Sequence, residues 1–205
     1  MIADDHAVVR RGLRQILSET EDIQVVGEAS NADEVRAQAQ ELRWDVLVLD
    51  MNMPGGSSFD LLKDVRTQDP KAKVLVLTMF QEEQYGVRCI RAGASGFLSK
   101  ESAPEKLLEA VRKLAHGGKY ISVELAEALA SAVAGETDGN PHDRLSDREM
   151  EVFRQLASGR TVSQIAEALS LSVKTVSTHR TRILKKMGMG SNAELMRYAL
   201  KNGLA

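Results

Sequence analysis

Five residues in the first hundred could do chemistry together, and each stands where an apolar run stops. Asp4 and Asp5 follow Met1-Ile2-Ala3, Asp50 follows Val46-Leu47-Val48-Leu49, Thr78 follows Val74-Leu75-Val76-Leu77, and Lys100 follows Gly96-Phe97-Leu98-Ser99. Aliphatic runs without polar alternation read as strands buried on both faces of a parallel sheet. In such sheets ligands bind outside the carboxyl ends of the strands, so these groups converge on one edge. Three carboxylates gathered there repel one another, and a hard divalent cation best explains them; Mg²⁺ takes one or two carboxylates, a carbonyl and waters. With the Lys100 ammonium and the Thr78 hydroxyl, such an ion would stabilise phosphoryl oxygens carried on Asp50, which makes Asp50 a nucleophile of the aspartyl-phosphate kind.

The elements that position these groups alternate between two periods. Val8, Val9, Leu13, Ile16 and Leu17 recur at helical spacing, Ile23 to Ala29 is strand-like, and Asn31 with Glu34 caps a helix ending near Leu42. Ser57 or Ser58 caps a third segment through Leu61, Leu62 and Val65. The stretch with Tyr85, Val87 and Ile90 is less regular, and Pro104 opens a helix with Leu107, Leu108, Val111 and Leu114 as its buried stripe. About five strand and helix alternations predict an α/β doubly wound, five-stranded parallel sheet. Only three residues precede Asp4, fewer than an ordinary strand has, so the first strand is expected to lack its beginning.

Residues 1–118 resemble the receiver domain of two-component response regulators. The resemblance implies Asp50 as phosphoacceptor, Asp4, Asp5 and Asp50 with the backbone carbonyl of Asn52 as Mg²⁺ ligands, Lys100 as the phosphoryl-binding lysine, and Thr78 and Phe97 as a switch pair. Phosphorylation would draw Thr78 toward the phosphoryl group and let Phe97 move inward. The Met53-Pro54-Gly55-Gly56 turn suits that family, whereas Ser57-Ser58 stands where an acidic residue and glycine are usual.

The second half changes character. Residues 1–142 hold 16 basic against 23 acidic side chains, and residues 143–205 hold 11 against 6, so an acidic module of net charge −7 precedes a basic one of +5. Between them, residues 119–144 read as a linker helix, Glu124 to Ala134, and a flexible stretch, Gly135 to Arg144, without large apolar side chains. From Leu145 onward, Ser146 with Glu149 forms a capping box, and two helices, Thr161 to Leu169 and Val173 to Met187, flank a tight turn as in a helix-turn-helix. The exposed face of the second carries Lys174, Arg180, Arg182, Lys185 and Lys186 without an acid, interleaved with small hydroxyls. Cations neutralise phosphates, and hydroxyls allow close approach to base edges. His179, without companion ligands, reads as a surface or phosphate contact.

Residues 145–205 resemble the LuxR-type helix-turn-helix domain of NarL/FixJ response regulators, through Leu145-Ser146, Arg148-Glu149, Ile165-Ala166, Ser172-Val173-Lys174-Thr175-Val176 and His179. The resemblance implies that Ser177, Thr178 and Thr181 face bases and that Lys174, Thr175, Arg180 and Lys185 face the backbone of double-stranded DNA. It also implies Asn192 to Leu200 as a dimerisation surface, with a homodimer when phosphorylated or DNA-bound. A sensor histidine kinase is the expected phosphoryl source, and RNA polymerase a further partner. The lone Cys89 and the absence of a long apolar run place the chain in the cytoplasm, away from any membrane. The reading is a transcriptional regulator without independent catalysis. A phosphatase using the same aspartyl chemistry is disfavoured because Met51 and Asn52 cannot serve as general acid or base.

Overall fold

A computed structural model describes residues 1–54, 57–79, 82–134 and 140–204. The chain divides into two compact units at residues 134 and 135. In the first, β1 (Ile2–Ala3), β2 (Glu28–Ala29), β3 (Val46–Asp50), β4 (Lys73–Thr78) and β5 (Gly96–Ser99) form a parallel sheet in the order β2-β1-β3-β4-β5. Every residue of β3 is buried, as is all of β4 after Lys73. This burial on both faces is what their unbroken aliphatic runs require. The connecting helices are α1 (Ala7–Leu17), α2 (Ala32–Glu41), α3 (Ser58–Gln68), α4 (Glu82–Arg91) and α5 (Ala103–Ala115). Leu13 and Leu17 of α1 join Leu107, Ala110 and Leu114 of α5 in one core over Val48, Leu75 and Leu77.

Sequence patterning and structure part in four places. Of Ile23 to Ala29 only the last two residues pair as strand, because β1 offers only Ile2 and Ala3 as partners. Val8, expected on the buried face of α1, is 85% exposed. The irregular stretch around Tyr85 is a helix, α4, whose Tyr85 and Cys89 sit four apart on a buried face. Gly86 there lets α6 (Val123–Ala134) approach: a Cβ at 86 would lie 2.6 Å from both terminal carbons of the buried Leu125. The last difference concerns the expected flexible stretch. Gly135 to Gly139 lie outside the described residues, but Pro141–Arg144 is a 3₁₀ turn with His142 buried and bonded through Nδ1 to the Tyr198 hydroxyl at 2.7 Å.

The second unit is helical: α7 (Asp147–Ala157), α8 (Val162–Ala168), α9 (Val173–Met187) and α10 (Asn192–Lys201). Each starts at a hydroxyl cap, Ser146, Thr161, Ser172 or Ser191, accepting from a backbone N–H three residues on, and the first two are full capping boxes. Phe153, Leu156, Ile165, Val176, Ile183 and Leu195 supply buried side chains from all four helices.

Candidate functional site

Sheet register assembles the first site. Ala3 pairs with Leu49, so Asp4 leaves β1 beside Asp50 at the end of β3, and Thr78 pairs with Ser99, so Lys100 follows on the neighbouring edge. Asp4 and Asp50 are 0% and 1% exposed, and the Lys100 ammonium bridges them, donating to Asp4 Oδ2 at 2.6 Å and Asp50 Oδ2 at 2.8 Å. Burial raises the Asp50 pKa above its ordinary value, with Lys100 opposing and Asp4 reinforcing the shift. Burial also pulls the Lys100 ammonium down, but its bonds to the two carboxylates prevail and its pKa lies above that of an ordinary lysine. Backbone fixes the remaining oxygens: Asn52 N–H donates to Asp50 Oδ1 at 3.1 Å and His6 N–H to Asp4 Oδ1 at 2.8 Å.

The other predicted residues fall around this pair. Asp5 is at the rim, its carboxylate 2.8 Å from His6 Nδ1. Thr78 is buried, and its carbonyl accepts from Lys100 N–H at 2.7 Å, so the two share one backbone link. Phe97 is already buried, 1% exposed, so an inward swing is not needed to reach this arrangement. Gly55 and Gly56 of the expected turn lie outside the described residues. Ser57 caps α3, and Ser58 Oγ donates to the Met51 carbonyl at 2.7 Å, which ties the residue after Asp50 to the start of that helix.

Three contributors escaped the sequence reading of the site. His6 joins Asp4, Asp5 and Asp50 in a group whose ligand atoms all lie within 4.8 Å of one another. Arg10 Nη1 donates to the Asp4 carbonyl at 2.6 Å, and Ser58 acts as above. The place of His6 directly after two aspartates was the available signal. Arg10 and Ser58 act through backbone carbonyls, which leave no mark in side-chain patterning.

On the second unit, Ser170 adopts a left-handed φ of 52° between α8 and α9, and Leu171 N–H returns to the Ala166 carbonyl at 2.8 Å, closing the turn. Lys174, Ser177, Thr178, Thr181, Arg182, Lys185 and Lys186 of α9 are exposed, and Thr175 is half-buried beside its Ser172 cap. Thr178 and Thr181 hydroxyls donate to the Lys174 and Ser177 carbonyls, each at 3.0 Å. Two residues are less exposed than their place on this face predicts. Arg180 is half-buried, with Nε donating to Asn192 Oδ1 at 2.7 Å, because α10 begins against this part of α9. His179, read as a surface or phosphate contact, is half-buried. Its Nδ1 is shielded without a hydrogen-bond partner among the described residues, and burial, with Arg148 next, holds its pKa below the ordinary value. Lys186 is tied to the buried Glu149.

Residues 1–112 match the response regulator receiver domain, and residues 143–199 match the luxR family of bacterial regulatory proteins. The chain belongs to the response regulators that join a receiver domain to a LuxR-type DNA-binding domain. It is 38% identical over 212 residues to the oxygen regulatory protein NreC of Staphylococcus epidermidis, covering 100% of this chain and 97% of that protein. The same protein of Staphylococcus aureus matches at 38%, with equal coverage. Among solved structures, RcsB of Salmonella enterica serovar Typhimurium bound to promoter P1flhDC in the presence of the phosphomimetic BeF₃⁻ matches at 31% identity and a TM-score of 0.72, covering 96% of this chain and 95% of that one. The response regulator ChrA of a heme-sensing two-component system matches at 32% and 0.52, covering 100% and 97%. No helix among the described residues is long and apolar enough to cross a membrane.

Proposed function

We propose that Asp50 accepts a phosphoryl group from a partner sensor histidine kinase and that this charge controls DNA binding by α9. The observation that carries the reading is the Lys100 ammonium held between two buried carboxylates, one of which ends the central strand. An oxygen of Asp50 attacks phosphorus as the bond to the donor's nitrogen breaks. Lys100 then exchanges its bond to Asp50 for one to a phosphoryl oxygen, and the Thr78 hydroxyl takes another. The all-oxygen donor set of Asp4, Asp5, Asp50 and the Asn52 carbonyl fits Mg²⁺. When bound there, Mg²⁺ supplies the positive charge that offsets the phosphoryl oxygens. A ligand shifts a two-state equilibrium only by its differential affinity, so the phosphoryl group favours whichever state offers Thr78 and Lys100 together, with Phe97 inward.

On the DNA side, Ser177, Thr178 and Thr181 face base edges, and Lys174, Thr175 and Lys185 face phosphates. The outer amino groups of Arg180 serve the backbone beside its bond to Asn192. Met196 and Leu200 of α10, 37% and 73% exposed, supply the apolar surface for a homodimer. RNA polymerase is a further partner, the compartment is the cytoplasm, and the chain has no catalysis of its own. The test is to treat the full chain and Asp50→Asn with acetyl phosphate and follow both phosphoryl uptake and affinity for a promoter fragment. Uptake confined to the wild type, with a change in DNA affinity, supports the reading. Labelling of Asp50→Asn at the wild-type rate moves the acceptor elsewhere, and equal affinity with and without phosphoryl makes this a phosphorylation-independent DNA binder.

A further inference from the structure

His6 begins α1, yet its ring makes no capping bond to that helix, a place ordinarily filled by Ser, Thr, Asp or Asn for that purpose. The ring turns instead to the carboxylates: Nδ1 stands 2.8 Å from Asp5 Oδ1 and 3.4 Å from Asp4 Oδ1. In an octahedral site with bonds of about 2.1 Å, adjacent ligand atoms are about 3 Å apart. The two separations bracket that edge, so Nδ1, at hydrogen-bonding distance from Asp5, is also within reach of a neighbouring ligand position on the same ion. Asp50 completes a group within 4.8 Å, wider than the diagonal of about 4.2 Å, so these side chains would close slightly on a bound ion.

We infer that His6 supplies a nitrogen ligand to this pocket and shifts its preference from Mg²⁺ to a borderline divalent ion of the Mn²⁺ to Zn²⁺ class. The inference rests on the cation-binding reading above and adds a ligand and a selectivity to it. Mg²⁺ is a hard ion that gains little from imidazole, whereas first-row transition ions bind imidazole well, increasingly so from Mn²⁺ to Cu²⁺, with Zn²⁺ below Cu²⁺. The carboxylates hold either ion, and the nitrogen discriminates. Such an ion, where present at micromolar levels, displaces Mg²⁺ and sets the availability of Asp50 to its phosphoryl donor.

The experiment uses the full chain with Mg²⁺, Mn²⁺ and Zn²⁺ as the probes. Titration calorimetry at one pH on the wild type and His6→Ala should show Mn²⁺ and Zn²⁺ affinity falling about tenfold in the variant, with Mg²⁺ affinity changed less than twofold. Pulsed EPR of the Mn²⁺-loaded wild type should show coupling to a ¹⁴N nucleus that His6→Ala lacks, and this readout on the wild type stands even if the variant melts early. Equal losses for all three ions, or a nitrogen coupling that survives in His6→Ala, overturn the role of His6 while leaving the oxygen site intact. Asp50→Asn separates the two levels. If it leaves Mg²⁺ affinity unchanged, the pocket is not the cation site, and both readings fall.

Discussion

Lys100 is 12% exposed and holds two carboxylates that water does not reach, whereas Lys174 and Lys185 on α9 stand in open solvent. On the proposed reading both regions meet phosphate, yet they are stabilised differently. In the pocket the buried charges need one another, because a buried charge without a partner costs several kcal/mol. On α9 water solvates Lys174 and Lys185, and the helix tolerates loss of either. Placement in the pocket is therefore inseparable from folding of the first unit, while on α9 it is a matter of which face the core leaves outward.

The sharpest way to break this contrast is Lys100→Met, which strands Asp4 and Asp50 together. We expect a loss of about 3 kcal/mol in the unfolding of the first unit, with millimolar Mg²⁺ restoring part of it. The only tryptophan, Trp44, lies in that unit, so its fluorescence in urea reports the transition. An unchanged midpoint would falsify the interdependence of the pocket's charges.

Glu149 sharpens the contrast, since it is a buried carboxylate among the described residues of the second unit. Burial alone would raise its pKa, but its bonds to Lys186 and Ser146 outweigh that and hold it below the ordinary 4.5. A depressed carboxylate adds stability that is present above its unfolded value and lost as pH falls through its folded value. Glu149→Gln should therefore lower the melting of the second unit by about 1 to 2 kcal/mol near neutrality, and the two proteins should converge below pH 4.5. Calorimetry across pH checks this, and a gap that persists in acid sinks it.

A smaller effect is expected at Gly86→Ala. The added methyl meets Leu125, and overpacking costs about 1 to 3 kcal/mol, against about 1 kcal/mol gained in helix propensity. Hydrogen exchange should quicken in α6 while α4 stays protected, and Leu125→Ala should relieve it. Smallest of all, Lys174→Ala should change stability by less than about 0.5 kcal/mol while lowering the salt dependence of DNA binding by about one unit of slope. A large stability loss there would show that α9's cations are as interdependent as those of the pocket.

Much of this was legible because its cause is local or periodic. The aliphatic runs of β3 and β4, the caps at Asn31 and Ser146, and the polar residues ending the strands are marked by residue type alone. What stayed hidden depends on partners distant in sequence. The extent of β2 is set by β1, the helix at Glu82–Arg91 is stabilised by α6 filling the space above Gly86, and Arg180 is drawn toward Asn192. His6 was passed over because three carboxylates already accounted for a hard ion, so no vacancy in the chemistry asked for a nitrogen.

Gly188 ends α9 in a left-handed conformation, φ 66°, and Met189 N–H folds back to the Leu184 carbonyl at 2.9 Å. That stop fixes a ruler. The 15 residues of α9 measure about 22 Å at 1.5 Å each, whereas one turn of the duplex measures about 34 Å. On the proposed reading, one copy of α9 spans less than a full turn of the groove, and a homodimer would take two half-sites repeating at the pitch of the double helix.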